Sequence, residues 1–405
     1  MKWLEKDNGR HTGIYLNQKS ENHSSATIFV VLLGVVSLFA DMTYESARSI
    51  IGPFLGQLGA SATVVGTAAG LGELLGYLLR FVSGRIADRT GHYWAMTIFG
   101  YCINLLAVPA LALVGNWELA VLLMLLERTG KAVRSPPRDA MLSFASGRMG
   151  RGRAFALHEA MDQIGATMGP LIITVVMYLR SDYRISFGVL IIPAVISLGV
   201  LVAARILYPH PRYLELKTSE LDTHGFAKPF WLYLAATACI AAGFADYPLI
   251  AYHFGKTGHM PPEWIPILYA IAMGADGLSA LAYGRLYEHF GISVLIGAVA
   301  IAVPFAPLVF FGGFSACFFG AVLWGIGMGA QESVMKAHVA NMTPASIRGT
   351  AFGIFNMSFG IFWFLGSALM GALYGYSILA MVIFSVAIQF ASLLLLYIFA
   401  LKISR

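Results

Sequence analysis

Asp41, Glu45 and Arg48 stand at i, i+4 and i+7 within an apolar run, the spacing that puts three side chains on one face of an α-helix. Glu73, Tyr77 and Arg80 repeat that spacing in the next apolar run, Glu127 and Arg128 sit inside another, and His158 and Asp162 lie four residues apart in the one after it. In hydrocarbon each such charge costs a few kcal/mol or more unless it is paired or hydrated. A carboxylate held there can take up or release a proton according to whether a cation stands beside it. Asp41 and Glu45 have only Arg48 near them along the chain, so with Arg48, Glu73, Glu127, Arg128 and Asp162 they form the expected proton-handling set. The alternative for Glu73 with Arg80, and for His158 with Asp162, is an ion pair that only joins helices.

The second half of the chain carries fewer such groups: Asp246 with Tyr247, Asp276, and Gln331 with Glu332. With Tyr44 and Tyr77, the residues Asp246, Tyr247, Gln331 and Glu332 are the expected lining of a solute pocket, where Tyr247, Tyr269, Trp324, Phe355 and Trp363 could stack on an organic molecule. His158, Glu159 and Asp162 could face a metal cation, but the histidines are scattered and no resident metal is expected. Cys102, Cys239 and Cys317 are single, without CxxC spacing. No Ser or Cys nucleophile stands beside a base and no G-x-x-x-x-G-K-S/T loop occurs, so neither an enzyme nor a nucleotide or other cofactor is expected.

These residues must be positioned by membrane helices. Of 405 residues 58% are apolar and 12% charged, and mean hydropathy is +0.72; about a quarter charged is ordinary for a soluble domain. Runs of roughly twenty apolar residues, the length that crosses about 30 Å of hydrocarbon, begin at Ala26 and number twelve. Six fall at 26–56, 62–83, 94–114, 117–137, 154–179 and 185–208, and six at 229–254, 262–284, 291–312, 314–338, 350–375 and 377–401. The predicted organisation is a tail at 1–25 without a cleavable leader, a helical bundle at 26–208, a polar connection at 209–228, a second bundle at 229–401 and a tail at 402–405. Twenty-two of the 27 Lys and Arg lie on the side of the termini and the central connection and three on the other, which orients that side to the cytoplasm of an inner or plasma membrane. The run Lys131, Arg134, Pro136, Pro137, Arg138, Asp139 reads as the fourth helix leaving the bilayer into solvent. The net charge of +6 is thus assigned to the membrane face and not to nucleic acid.

The two halves echo each other. Gly84-Arg85-Ile86-Ala87-Asp88-Arg89-Thr90-Gly91 follows the second run and Gly284-Arg285-Leu286-Tyr287-Glu288-His289-Phe290-Gly291 the eighth, while Arg151-Gly152-Arg153-Ala154-Phe155 is matched by Arg348-Gly349-Thr350-Ala351-Phe352. Gly84, Asp88, Arg89 and Gly91 resemble the G-x-x-x-D-R/K-x-G-R/K-R/K signature of the major facilitator superfamily, with His92 and Tyr93 in place of its last two basic residues. Gly165-Ala166-Thr167-Met168-Gly169-Pro170 is similar to the G-x-x-x-G-P core of that superfamily's drug–proton antiporters, although Ala156, Ile173 and Thr174 stand where the longer motif has glycines. Gly165, Gly169 and Pro170 also suit close helix packing and a kink. Arg128 resembles the family's membrane-embedded proton-coupling arginine.

The resemblance implies an all-α membrane protein of twelve transmembrane helices in two six-helix bundles. It implies a monomeric secondary transporter that moves a small organic solute between the bundles by alternating access, with efflux against protons as the expected direction. Proton-coupled uptake of a metabolite and metal-cation export are the alternatives. Gly84, Arg85, Asp88, Arg89 and Gly91 are then a conformational-switch turn.

Overall fold

The computed structural model describes residues 8–149, 151–210, 228–258, 260–343 and 348–403. Most of the predicted connection at 209–228, the first residues of the amino-terminal tail and the last two of the chain lie outside them. The described residues contain no strand.

Apolar length dictates the elements. We number them α1 (Asn8–Gln57, apolar from Ala26), α2 (Ala62–Thr90), α3 (Tyr93–Leu113, its last turn 3-10), α4 (Trp117–Met149), α5 (Arg151–Arg180) and α6 (Tyr183–Leu207). In the second half are α7 (Pro229–Thr257), α8 (Trp264–Phe290), α9 (Ser293–Phe311), α10 (Phe314–Met342), α11 (Arg348–Tyr376) and α12 (Ile378–Ile403). Eleven are long and apolar enough to cross a membrane. The twelfth, α4, has the length but carries Glu127, Arg128, Lys131 and Arg134 within it. The backbone of the tail from Asn8 continues α1 as one helix.

Two features differ from the pattern read along the chain. The first is α7, which unwinds at Phe244–Asp246 between Gly243 and Tyr247. In a bilayer the freed carbonyls need donors, and they have them: Trp324 of α10 donates to the Ala245 oxygen at 2.9 Å, and Ser385 of α12 donates to the Gly243 oxygen at 2.6 Å. Asp246 caps the renewed helix by accepting the Tyr247 N–H at 2.9 Å.

The second is the segment Gly84–Gly91. Only its last residue turns: α2 runs to Thr90, and Gly91 takes φ 70° with its N–H on the Ala87 oxygen. Gly291 also ends α8 at a positive φ, 55°, with its N–H on the Tyr287 oxygen, though its ψ of −136° differs from the 4° of Gly91. Glycine tolerates positive φ without the Cβ clash, which is why both echoes close on it. Gly84 is mid-helix instead, where a Cβ would stand 3.3 Å from Pro136 of α4.

The halves meet tightly at the end opposite these turns. A Cβ at Gly66 of α2 would stand 2.5 Å from the Ser367 carbonyl oxygen of α11 and 2.9 Å from the Gly371 Cα. At Gly52 of α1 it would stand 2.8 Å from the Tyr252 nitrogen of α7. Glycine here lets two backbones close without intervening side chains. Nearer the turns, a cavity separates the bundles.

Candidate solute pathway between the two bundles

The buried charges form a connected set where the closed end meets the cavity. On α1, Arg48 donates to Asp246 of α7 at 2.8 Å and pairs with Glu73 of α2 at 3.3 Å. Glu73 in turn pairs with Arg128 of α4 at 3.4 Å, and Arg128 with Glu127 at 3.3 Å. Asn104 of α3 donates to the Glu127 carboxylate at 2.8 Å. Trp363 of α11 supplies a second donor to Asp246 at 3.3 Å. The Arg48–Asp246 bridge therefore ties the first half to the second inside the membrane.

One turn toward the cavity, Glu45 is shared between halves as well: it pairs with Lys131 of α4 at 3.7 Å and accepts the Tyr269 hydroxyl of α8. Asp41, a further turn along α1, is buried, and its Oδ1 has no hydrogen-bond partner among the described residues. Its backbone approaches α5 closely, since a Cβ at Gly165 would meet the Asp41 Cβ at 3.1 Å and one at Gly169 the Met42 Cα at 2.9 Å. On α5, Asp162 pairs with His158 at 3.4 Å, and His158 shares a 3.0 Å hydrogen bond with Ser37 of α1.

The run Lys131–Asp139 is not a solvated helix end, as its sequence suggested. The helix continues to Met149, and Arg134 is 1% exposed. Its guanidinium lies 4.1 Å from the Tyr101 ring centre and 5.6 Å from that of Tyr44, while the Lys131 ammonium stands 3.9 Å from Tyr44. Arg138 pairs with Asp139 at 2.8 Å and donates to Ser37 at 2.8 Å. Glu127, Lys131, Arg134 and Arg138 follow one another at helical spacing, so the signal for a buried stripe is present; the prolines and the charge density obscure it. Nor is Glu73 the partner of Arg80, whose guanidinium instead lies 5.6 Å over the Tyr77 ring.

The cavity holds about 810 Å³ and is lined by the turn-side halves of four helices: Arg138 and Leu142 of α4, Glu159 and Asp162 of α5, Met273 and Leu281 of α8, and Glu332 and Lys336 of α10, among others. Volumes of that order suit a drug-sized or metabolite-sized solute. Of the six residues assigned to a solute pocket, Glu332 alone lines it. Tyr44 borders a small void with Arg48, Glu127 and Arg128. Tyr77 packs on Phe359, and Asp246 and Tyr247 belong to the closed end, Tyr247 donating to the Ile265 oxygen at 2.8 Å. Gln331 is buried with neither amide atom hydrogen-bonded among the described residues. Glu159, Lys336 and Met273 were not singled out as pocket lining, since their neighbours come from other helices.

At the turn, Arg85, Asp88 and Arg89 are exposed, and Asp88 accepts the Tyr93 hydroxyl at 3.2 Å. Among the described residues no group of three or more His, Cys, Asp or Glu could hold a metal ion.

Two helical bundles, closed on each other at one end and parted around a cavity at the other, are the architecture of a multi-pass membrane transporter. The profile of the Major Facilitator Superfamily matches residues 33–316, and the chain belongs to that superfamily of transporters; it is not an enzyme. An uncharacterised protein of Mycobacterium tuberculosis is 37% identical over 94% of both chains. Multidrug resistance protein MdtH of Photorhabdus laumondii is 25% identical over 80% of this chain and 79% of its own. The crystal structure of the nucleoside transporter NupG superposes with a TM-score of 0.71 at 14% identity, covering 93% of this chain and 99% of its own, a likeness of fold.

Proposed function

We propose that the protein is a proton-coupled exporter that exchanges a small organic solute for protons, acting as a monomer in the inner or plasma membrane with both termini in the cytoplasm. The orientation rests on the loop charge asymmetry, which stays large after the burial of Lys131, Arg134 and Arg138 is taken into account. The direction is supported by the likeness to a multidrug resistance protein.

The observation that carries the coupling is the position of Glu45. It lies beside the cavity end of the inter-bundle ion pairs and bonds to both halves, through Lys131 and Tyr269. A proton on Glu45 weakens the bond it accepts from Tyr269 of the second half as well as its attraction for Lys131 of the first, so protonation and closure of this end are thermodynamically linked. Asp41, with a free buried oxygen one turn nearer the turn side, is the second carrier.

The test is pH-dependent counterflow in proteoliposomes. Asp41→Asn or Glu45→Gln should lose uphill, gradient-driven transport and keep solute exchange, because the amide copies the shape of the neutral acid without titrating. Full uphill transport in both variants would move the proton site elsewhere.

A further inference from the structure

One hydrogen-bonded chain leaves the cavity wall and enters the first bundle. Asp162 and His158 of α5 both line the cavity. The Asp162 carboxylate stands 3.4 Å from His158 Nδ1, and His158 Nε2 stands 3.0 Å from the Ser37 hydroxyl of α1. Ser37 also lies 3.4 Å from the Tyr101 hydroxyl of α3 and accepts from Arg138 of α4 at 2.8 Å. The backbones fix these distances: a Cβ at Gly165 of α5 would collide with the Leu38 carbonyl oxygen, next to Ser37. Ser, His and Asp in this order also activate nucleophiles, but Ser37 is 0% exposed, so what moves along the chain is a proton.

The partners suit both charge states of His158. A hydroxyl has one donor and two lone pairs, and Arg138, always a donor, takes one lone pair of Ser37. With His158 neutral and its proton on Nδ1 toward Asp162, Ser37 donates to Nε2 and accepts from Tyr101. With His158 protonated, Nε2–H donates to Ser37, which turns its own proton toward Tyr101, while Asp162 balances the new charge. Rotating two hydroxyls therefore carries the chain from one state to the other with every bond kept.

Asp162 is also within electrostatic reach of Asp41, one turn from Ser37 on α1, whose Oδ1 has no hydrogen-bond partner among the described residues. While His158 is neutral, the unbalanced charge of Asp162 opposes a second charge on Asp41; an imidazolium at His158 cancels that opposition. Of the nearby groups on α4, Arg138 is held by Asp139, Lys131 by Glu45, and Arg134 lies over the rings of Tyr101 and Tyr44. On the cavity wall α5 adds Glu159, and α10 brings Glu332 and Lys336 from the other bundle. Asp276 of α8 is buried outside the lining.

We infer that His158 is the residue at which the coupling proton passes between cavity water and the first bundle, held by Asp162 and Ser37 and traded with Asp41. The inference rests on the proton-coupled reading and adds the place where the proton enters and leaves. Ser37 and Asp162 act as positioning residues for the imidazole.

The probe is the proton itself. In the full chain carrying nitrogen-15-labelled histidine, in lipid nanodiscs, NMR over about pH 5 to 9 follows the ring nitrogens across the range where histidine changes charge. His158→Gln identifies the His158 signal among the ten histidines. That ring should pass from the Nδ1–H form to the imidazolium as pH falls. Spin labels at Gln57→Cys and Pro261→Cys, with the native cysteines replaced, report the distance between the bundles over the same series. The distance should step at the His158 midpoint, and His158→Gln should abolish that step. Ser37→Ala removes the acceptor of a charge-assisted bond and should cut proton affinity about fivefold, moving both midpoints together to lower pH by about 0.7 unit. Asp162→Asn should move them lower by about one unit or more. A His158 ring in one protonation state throughout, or midpoints that both folded positioning variants leave in place, would overturn the inference. A parent whose bundle distance ignores pH rejects the proton-coupled reading with it; a parent step that His158→Gln leaves intact rejects this inference alone.

Discussion

Asp246→Asn isolates the charge that joins the bundles. Asn caps a helix as well as Asp does, so the 2.9 Å bond to the Tyr247 N–H and the renewed helix of α7 are kept. What is lost is the negative partner of Arg48 at 2.8 Å. Stranding a buried charge costs about 3–5 kcal/mol, but Arg48 keeps Glu73 at 3.3 Å and a neutral carbonyl to bond, so we take about 2 kcal/mol, the value of a hydrogen bond to a charged group. The bridge joins the two bundles, so parting them at this end must break it and the loss falls on the closed state. At 1.4 kcal/mol per tenfold, the ratio of closed to open should drop by about thirtyfold. Spin labels at Gln57→Cys and Pro261→Cys, in a Cys102→Ser, Cys239→Ser, Cys317→Ser background, report it by double electron–electron resonance. A longer-distance population should grow in the variant. An unchanged distance distribution in folded protein would refute the idea that this pair holds the closed end.

Two further outcomes test the seam and the turn. Gly66→Leu should keep α2 from closing on Ser367 and Gly371, raising thiol labelling at Thr63→Cys severalfold and stalling turnover; unchanged labelling would mean the seam tolerates a side chain there. Asp88→Asn weakens the bond to the Tyr93 hydroxyl at the surface, far from the cavity, so transport should slow while solute affinity stays within a few-fold; unchanged turnover would reject the switch role.

The helices were legible because the bilayer imposes a local rule: about twenty apolar residues must come in sequence, and charges inside them must share a face. That rule located every helix but α4, which is long but too charged to meet it, and drew attention to Asp41, Glu45, Glu73, Glu127 and Asp162. The paired glycines Gly91 and Gly291 were equally legible, because a positive φ is a property of one residue. The end of α4 was misread for a related reason. Lys131 to Asp139 is as charged as a surface loop, and only Glu45, Tyr44, Tyr101 and Ser37 on other helices make its burial affordable.

Partner choice is where local rules fail. By spacing, Glu73 belongs with Arg80; in space Arg48 and Arg128 come nearer, because α1, α2 and α4 converge there. Asp246 reads as a pocket residue until the break in α7 turns it toward Arg48, and that break is stabilised by Trp324 and Ser385 from helices far along the chain. The sequence by itself determined the membrane class, the helix order and which carboxylates fall within membrane helices, since each follows from hydrophobicity and period along one segment. Tertiary structure decided which charges pair, which end is closed and which four helices line the cavity, because electrostatic energy depends on distances between segments that no single helix specifies.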